Sequence, residues 1–420
     1  MKSIKLKIQF VLRVLAVSVH DMLFYGMAKQ GMILGVNTLT NLVPDLYEAI
    51  DVVSREMVGF IPSCTLLASA ERAAINENVR VPIAPAAAAE DVVAGQLPPD
   101  DGDQNIGNNP LVISKARMVP FRWTGEEQKG VGNQSPNGGY AKIRQGQIAQ
   151  AIRTLVNEIE TAMGGLHVTA SRATGTAGTT PFASTLGDPA QARKILSDNG
   201  AGMSDLQMVI DTTAGANVRT LAQLTKANEA GTTELRAQGK LLDIHGFELR
   251  ESAGIQAAVT VGSVTGAVTG SAANGATSVT LTTPAGGAVN LLAGDIVTFA
   301  GDANKYVAAA ACTIGASATG TLTLTAPGLR KTASTAAISV VGAATRNMAF
   351  GRHAILLATR LPALPEEGDM AEDRITLTDP VSGIAFEFAM YKQYRRVRYE
   401  VALAYGFANI KPEHTTLLLG

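Results

Sequence analysis

The sequence predicts an α+β protein with an inserted all-β barrel domain, and three observations predict it. The first is the segment 257–345, whose 89 residues are mostly Val, Thr, Ala and Gly and include only five charged side chains, Asp295, Asp302, Lys305, Arg330 and Lys331. The second is Tyr140–Gly164, where Ile143, Ile148, Ile152, Leu155, Ile159 and Met163 fall on one stripe at helical spacing. The third is the chain around the β-rich segment. A strand pattern, Gly246–Ser252, leads into it, and alternating strands resume after it. The β-rich segment is therefore set inside another domain.

Residues 1–36 come first. Lys2, Lys5 and Lys7 precede an apolar run, Ile8 to Val19, that Arg13 interrupts. The run is shorter than the ~20 residues a membrane span needs, and no small-residue cleavage site follows it. It reads as an extension outside the functional protein, with Met27 and Met32 as plausible internal starts. From Leu42 to Phe60, Leu46, Ile50, Val53 and Met57 recur at helical spacing, with Pro44 near the start. The opposite face is mostly acidic: Asp45, Glu48, Asp51 and Glu56. Such a face is either solvated or a docking surface for a basic partner.

Val79–Pro85 reads as extended. A long stretch from Ala86 to Gly139 follows, rich in Pro, Gly, Asp and Asn, in which Leu111–Trp123 reads as a strand. A two-stranded arm with a loop at its tip fits this pattern. The long helix follows, with glycine pairs at both ends. At ~1.5 Å per residue it spans about 35 Å. Pro189–Leu196 and Ala214–Thr225 read as helices, and Leu206–Asp211 as a buried strand.

Within 257–345 the alternation has a period of two. Val279 and Leu281 oppose Thr280 and Thr282, and Leu322 and Leu324 oppose Thr321, Thr323 and Thr325. Asp295–Phe299 adds another strand, and some six short strands with Gly, Asn and Pro turns predict a small closed barrel. Downstream, Ala354–Ala358 is apolar. Arg374–Leu377 and Ile384–Met390 flank the turn Asp379–Gly383, Arg398–Phe407 is a third strand, and a tail from Asn409 ends in Leu417–Leu419.

Composition narrows the function. Charged residues make up 17% of the chain, against ~25% in ordinary soluble domains. So little charge suits a surface partly buried in an assembly. A net charge of −1 argues against a protein whose whole task is gripping nucleic acid. Cys64 and Cys312 stand far apart and form no disulfide framework, which favours a reducing compartment. The sequence holds no phosphate-loop, zinc-protease, nucleophile-elbow or dinucleotide fingerprint. His20, His167, His245, His353 and His414 are scattered, and Asp100, Asp101 and Asp103 lack the spacing and closing Glu of a calcium loop. No catalytic, metal or cofactor-binding residue is therefore assigned, and no enzyme activity or cofactor is expected. One basic run stands out, Lys392, Arg395, Arg396 and Arg398. It reads as an inter-subunit pairing surface or as a patch facing polyanion, since phosphate contact needs only clustered positive charge.

The order of parts resembles the major capsid (coat) protein of tailed bacteriophages, of the Hong Kong ninety-seven type, in the short-tailed branch with an insertion domain. LVPDLYEAIDVV resembles the N-terminal arm and GGYAKIRQGQIAQAIRTLVNEIETAMGG the spine helix. DIHGFELRESAGI resembles the strand leaving the central domain. LLAGDIVTFAG, KYVAAA and TLTLTAPGLR resemble insertion-domain strands, and VALAYGFANIKPEHTTLLL the final strand and tail. The resemblance spans 37–420, and residues 1–36 have no counterpart in it.

The resemblance implies a division into an N-terminal arm (37–78), an extended loop (79–139), and the spine helix with the first part of the peripheral and axial body (140–256). The barrel (257–345) and the return strands and tail (346–420) follow. It implies a structural protein that assembles with itself into hexamers and pentamers of an icosahedral shell. The shell would form in the host bacterial cytoplasm and belong to the virion. The implied partners are a scaffolding protein, a portal protein and packaged double-stranded DNA held without sequence-specific binding, with no membrane. Asp45, Glu48 and Asp51 are the implied scaffold contacts. An exported bacterial surface or adhesive protein, suggested by residues 1–36 and the Thr-rich module, is the alternative; a hydrolase with a β accessory domain is a third.

Overall fold

The computed structural model describes residues 59–83, 107–134, 139–221, 224, 243–255, 259–378 and 384–420. The acidic helix expected over Leu42–Phe60 lies almost wholly outside them, with Asp45, Glu48 and Asp51, and so does the turn Asp379–Gly383. The architecture is α+β. The chain divides into two compact units. Among the described residues the smaller comprises 122–134, 139–149 and 393–398, and the larger comprises the others.

In the smaller unit a helix, Gly125–Gln134, stands where the sequence reading placed loop. Its start is a reciprocal capping box. The Thr124 N–H donates to Glu127 Oε2 at 2.7 Å, and the Glu127 N–H donates to Thr124 Oγ1 at 3.3 Å. Trp123 is buried, donates to Gln147 Oε1 at 2.7 Å and meets Tyr140 edge-on, with ring centroids 5.3 Å apart.

The long helix runs Gly139–Gly164. Leu155, Ile159 and Met163 of the expected stripe are buried, with Ala151 and Val156 beside them. Glu160, on the same buried face, is 1% exposed.

The body of the larger unit is built on five strands, in the order Arg172–Gly175, Thr415–Leu419, Arg346–Gly351, Leu206–Ile210 and Phe247–Glu251. Thr415–Leu419 runs parallel to Arg172–Gly175 and antiparallel to Arg346–Gly351. Helices Gly187–Asp198 and Thr212–Thr220 pack on this sheet through Ala192, Leu196, Ala214 and Val218. Asp211 caps the second helix, accepting from the Thr213 and Ala214 N–H groups at 3.1 and 3.4 Å. The final residues, read from sequence as a tail, thus form an interior strand buried at all five positions.

A second sheet orders strands Thr65–Ala73, Ile355–Pro362, Arg396–Asn409, Ala385–Gln393 and Asp373–Thr378, with Lys115–Thr124 also paired to Arg396–Asn409. Strands Asn78–Ile83 and Gly107–Val112 form a separate antiparallel pair. The stretch Leu111–Trp123 is thus two strands, broken at Ile113–Ser114.

Six strands of the β-rich segment close on themselves. In order they are Thr319–Thr323, Ser278–Thr282, Thr269–Ala272, Ala333–Val340, Ile296–Phe299 and Lys305–Val307. Hydrogen bonds from Ala309 N–H to Thr323 O (2.9 Å) and Thr325 N–H to Val307 O (3.1 Å) return the last strand to the first. A short sheet of Ser263–Thr265, Ala288–Leu291 and Cys312–Ile314 completes the module. Val279, Leu281, Val297, Phe299, Leu322 and Leu324 share one core with Val289, Leu291 and Ile314. Each such fully buried side chain contributes about 1.5–3 kcal/mol. Residues 305–309 serve two sheets. Lys305 and Tyr306 pair with Ala173 and Arg172 of the body, and Ala308 closes the barrel. Arg172, 2% exposed, crosses the same seam: it donates to Asn304 Oδ1 at 3.0 Å and to Asn199 Oδ1 at 2.9 Å.

Candidate functional site

Two junctions in the larger unit fix where chain segments enter and leave the body. At the first, the buried carboxylate of Glu160 receives three backbone donors. Gly59 and Phe60 give N–H bonds to Oε1 at 2.6 and 2.7 Å, and Ile61 gives one to Oε2 at 3.2 Å. These are the unpaired donors of the short helix Phe60–Ser63, so Glu160 satisfies what the backbone cannot. Burial pushes its pKa up, and the hydrogen bonds from Ser252 and the three N–H groups pull against that. Gly254 lies directly on the helix backbone: a Cβ there would meet Thr161 Cα and N at 3.0 Å. The segment Gly59–Ile61, the long helix and the chain leading toward the barrel are thus locked at one point. Burial, with Glu160 second, pushes the neighbouring Cys64 thiol up to about 12, so at neutral pH it is an unreactive thiol.

The second junction is the root of the hairpin Asn78–Ile83/Gly107–Val112. The Ser114 N–H donates to Tyr405 O at 3.1 Å, and a Cβ on Gly406 would come within 2.0 Å of Val112 O. Only glycine allows that approach. Beside it, Glu158 accepts from Arg117 Nε at 2.8 Å and from the Tyr405 hydroxyl at 3.2 Å, and Lys115 lies 3.9 Å away. Burial first, then Glu158, raises the Tyr405 pKa, so its hydroxyl stays a donor. The long helix therefore carries both junction carboxylates, Glu158 and Glu160, two residues apart.

The basic run falls around the turn joining Ala385–Gln393 to Arg396–Asn409. Lys392 is exposed and pairs with Glu372 at 2.6 Å. Arg395 is exposed, with φ +54, and its carbonyl accepts from the Gly125 N–H at 3.4 Å. Arg396 donates to Gln393 Oε1 at 2.8 Å, and Arg398 is half-buried. Tyr394, at the turn, is 91% exposed. Sequence reasoning missed this aromatic tip and both junctions. Among the described residues no group of three or more His, Cys, Asp or Glu is arranged to hold a metal, and no helix is long and apolar enough to cross a membrane.

The sequence matches no protein-family model and no curated protein. Several solved structures are similar along most of the chain. A chain of Mycobacterium phage Che8 is 11% identical, with 88% of this chain and 90% of that one covered at a TM-score of 0.42. The capsid structure of the Cyanophage P-SCSP1u gives 10% identity, coverage of 87% and 89%, and a TM-score of 0.46. The mature capsid of bacteriophage PhiM1 gives 12% identity, coverage of 88% and 89%, and a TM-score of 0.44.

Proposed function

We propose that this chain is the major capsid protein of a tailed bacteriophage, a structural, non-enzymatic subunit whose copies close into an icosahedral head shell around packaged double-stranded DNA. The observation that supports this reading best is the order of parts. A paired hairpin is rooted on the second sheet, a 26-residue helix bears both junction carboxylates, and a closed barrel is set between the body strands Phe247–Glu251 and Arg346–Gly351. That order is the one the sequence resemblance implies over 37–420. The low charged fraction is consistent with broad contacts between copies. On this reading the domains are the arm, extended loop, spine helix and body, barrel, and return strands, with the boundaries given above. The shell is built in the host cytoplasm and the portal occupies one vertex. The exposed Lys392 and Arg395 beside Tyr394, with Arg396 and Arg398, meet a neighbouring copy or the packaged DNA.

Co-expressed with its scaffolding protein, the chain is expected to form closed shells of uniform diameter by electron microscopy. Expressed alone, it should give aberrant shells or aggregates. A stable monomer under both conditions overturns the proposal.

The scaffold contact is placed on Asp45, Glu48 and Asp51, facing a basic segment of the scaffold. Such a contact is screened over a Debye length of ~10 Å at 0.1 M salt. Reversing the three charges should lower the scaffold content of purified shells and leave the folded monomer's melting temperature unchanged. Unaltered scaffold content would return this face to a merely solvated one.

A further inference from the structure

Two histidines 61 residues apart in sequence meet in the larger unit. His353 lies in the short turn Arg352–Ala354, between strands Arg346–Gly351 and Ile355–Pro362. His414 ends the turn Pro412–His414, immediately before Thr415–Leu419. His353 Nε2 lies 2.8 Å from His414 Nδ1, and the rings meet edge-on with centroids 5.1 Å apart. At that separation one nitrogen donates and the other must accept through its lone pair, so at least one ring is neutral. The charged groups that act on the pair are Asp205, Lys411 and Glu413. Asp205 is itself held by Arg352 at 3.1 Å, and Arg352 also reaches Glu248 at 3.4 Å.

We propose that His353 and His414 form a proton-operated latch on the C-terminal strand. With at most one proton between the facing nitrogens, the latch is closed. A second proton puts two N–H groups and two positive charges face to face, and the latch opens. What it restrains is the interior strand Thr415–Leu419, seated between Arg172–Gly175 and Arg346–Gly351. The same flank is tied once more by the Ile410 N–H donating to Ala354 O at 2.8 Å. The latch lies within the fold of one chain and does not depend on shell formation.

The direction of the pH effect follows from the surroundings. Burial and then Lys411 hold His353 below its ordinary value, against Asp205. Burial holds His414 down too, with Glu413 opposing and His353 and Lys411 adding to it. Both rings therefore bind a proton less readily in the folded chain than in the unfolded one. The stability they contribute is complete above the ordinary imidazole value of ~6.5 and drains away as pH falls from there through the lowered folded values.

Hydrogen exchange on the full chain, read by mass spectrometry over 409–420 and corrected for the intrinsic pH dependence of exchange, tests this. Between about pH 7.5 and about pH 5, opening of Thr415–Leu419 should rise by about five- to tenfold in the wild type. His414→Gln and His353→Asn, which keep a polar side chain that does not titrate, should each abolish the rise. No rise in the wild type, or the same rise in both variants, overturns the latch. Should a variant fail to fold, imidazole titration of the wild type by NMR decides. Two proton-binding steps pushed apart support the latch, and two independent rings titrating at the ordinary value refute it.

Discussion

Glu160→Ala is expected to unfold the first junction and to be among the most damaging single substitutions in the chain. The carboxylate accepts from three consecutive backbone N–H groups, at Gly59, Phe60 and Ile61, in a site where Glu160 is 1% exposed. Removing the acceptor orphans all three donors where water has no ready access. One unsatisfied buried donor costs about 1–3 kcal/mol, so a loss of roughly 3 kcal/mol or more is expected. Glu160→Gln keeps an acceptor oxygen and should cost distinctly less. It also removes a pH dependence. Burial raises the Glu160 pKa, so the folded chain binds that proton more readily than the unfolded one. The wild-type contribution is therefore greatest below the ordinary carboxylate range and is lost as pH rises through the raised folded value. Urea denaturation of the wild type and both variants across that range is the measurement. If Glu160→Ala were as stable as the wild type, the three hydrogen bonds would not be what holds Gly59–Ile61.

Much of this fold is legible in the sequence, for reasons specific to each part. The long helix is legible because Ile143, Ile148, Ile152, Leu155, Ile159 and Met163 recur on one stripe over several turns. The barrel strands are legible because one face is buried and the other wet: Ser278–Thr282 alternates strictly between exposed and buried. Thr415–Leu419 does not alternate, because both of its faces are covered, and two threonines followed by three leucines carry no period to read. Arg346–Gly351 is hidden in the same way, its buried Arg346 and Asn347 reading as surface. Helix Gly125–Gln134 was legible in principle. Thr124 and Glu127 stand at capping-box spacing, but the glycines around them argued for loop.

The junctions are another matter. Glu160 is one acidic residue among several on its helix, and nothing local shows that its donors come from a segment about a hundred positions upstream. The closure of the barrel likewise depends on Ala308 meeting Leu324 across an intervening turn, which alternation alone does not specify.

Gly406→Val should strike the hairpin without striking the barrel. A Cβ at 406 would lie 2.0 Å from Val112 O and 2.9 Å from Ile113 Cα, and neither is the movable end of a side chain. The strand Arg396–Asn409 is hydrogen-bonded to Ile355–Pro362 with Gly406 opposite Ala358, so it has little freedom to retreat. The hairpin root must move instead. That breaks the Ser114 N–H bond to Tyr405 O and opens the cluster of Leu111, Ile113, Leu356 and Ala404. A buried backbone clash with loss of packing falls in the upper range of single-substitution effects, about 3 kcal/mol or more. The barrel has its own core and its own closed hydrogen-bond ring, so its amide protection should survive. Hydrogen exchange resolved by segment would therefore show fast exchange in Asn78–Ile83 and Gly107–Val112 and unchanged protection in Ser278–Thr282 and Thr319–Thr323. If copies assemble through this hairpin, the same variant should remain a soluble particle smaller than a shell under conditions where the wild type assembles. Normal shells containing a displaced hairpin would separate the root's structural role from assembly, and unchanged protection of the hairpin would show that the approach at Gly406 does not fix its base.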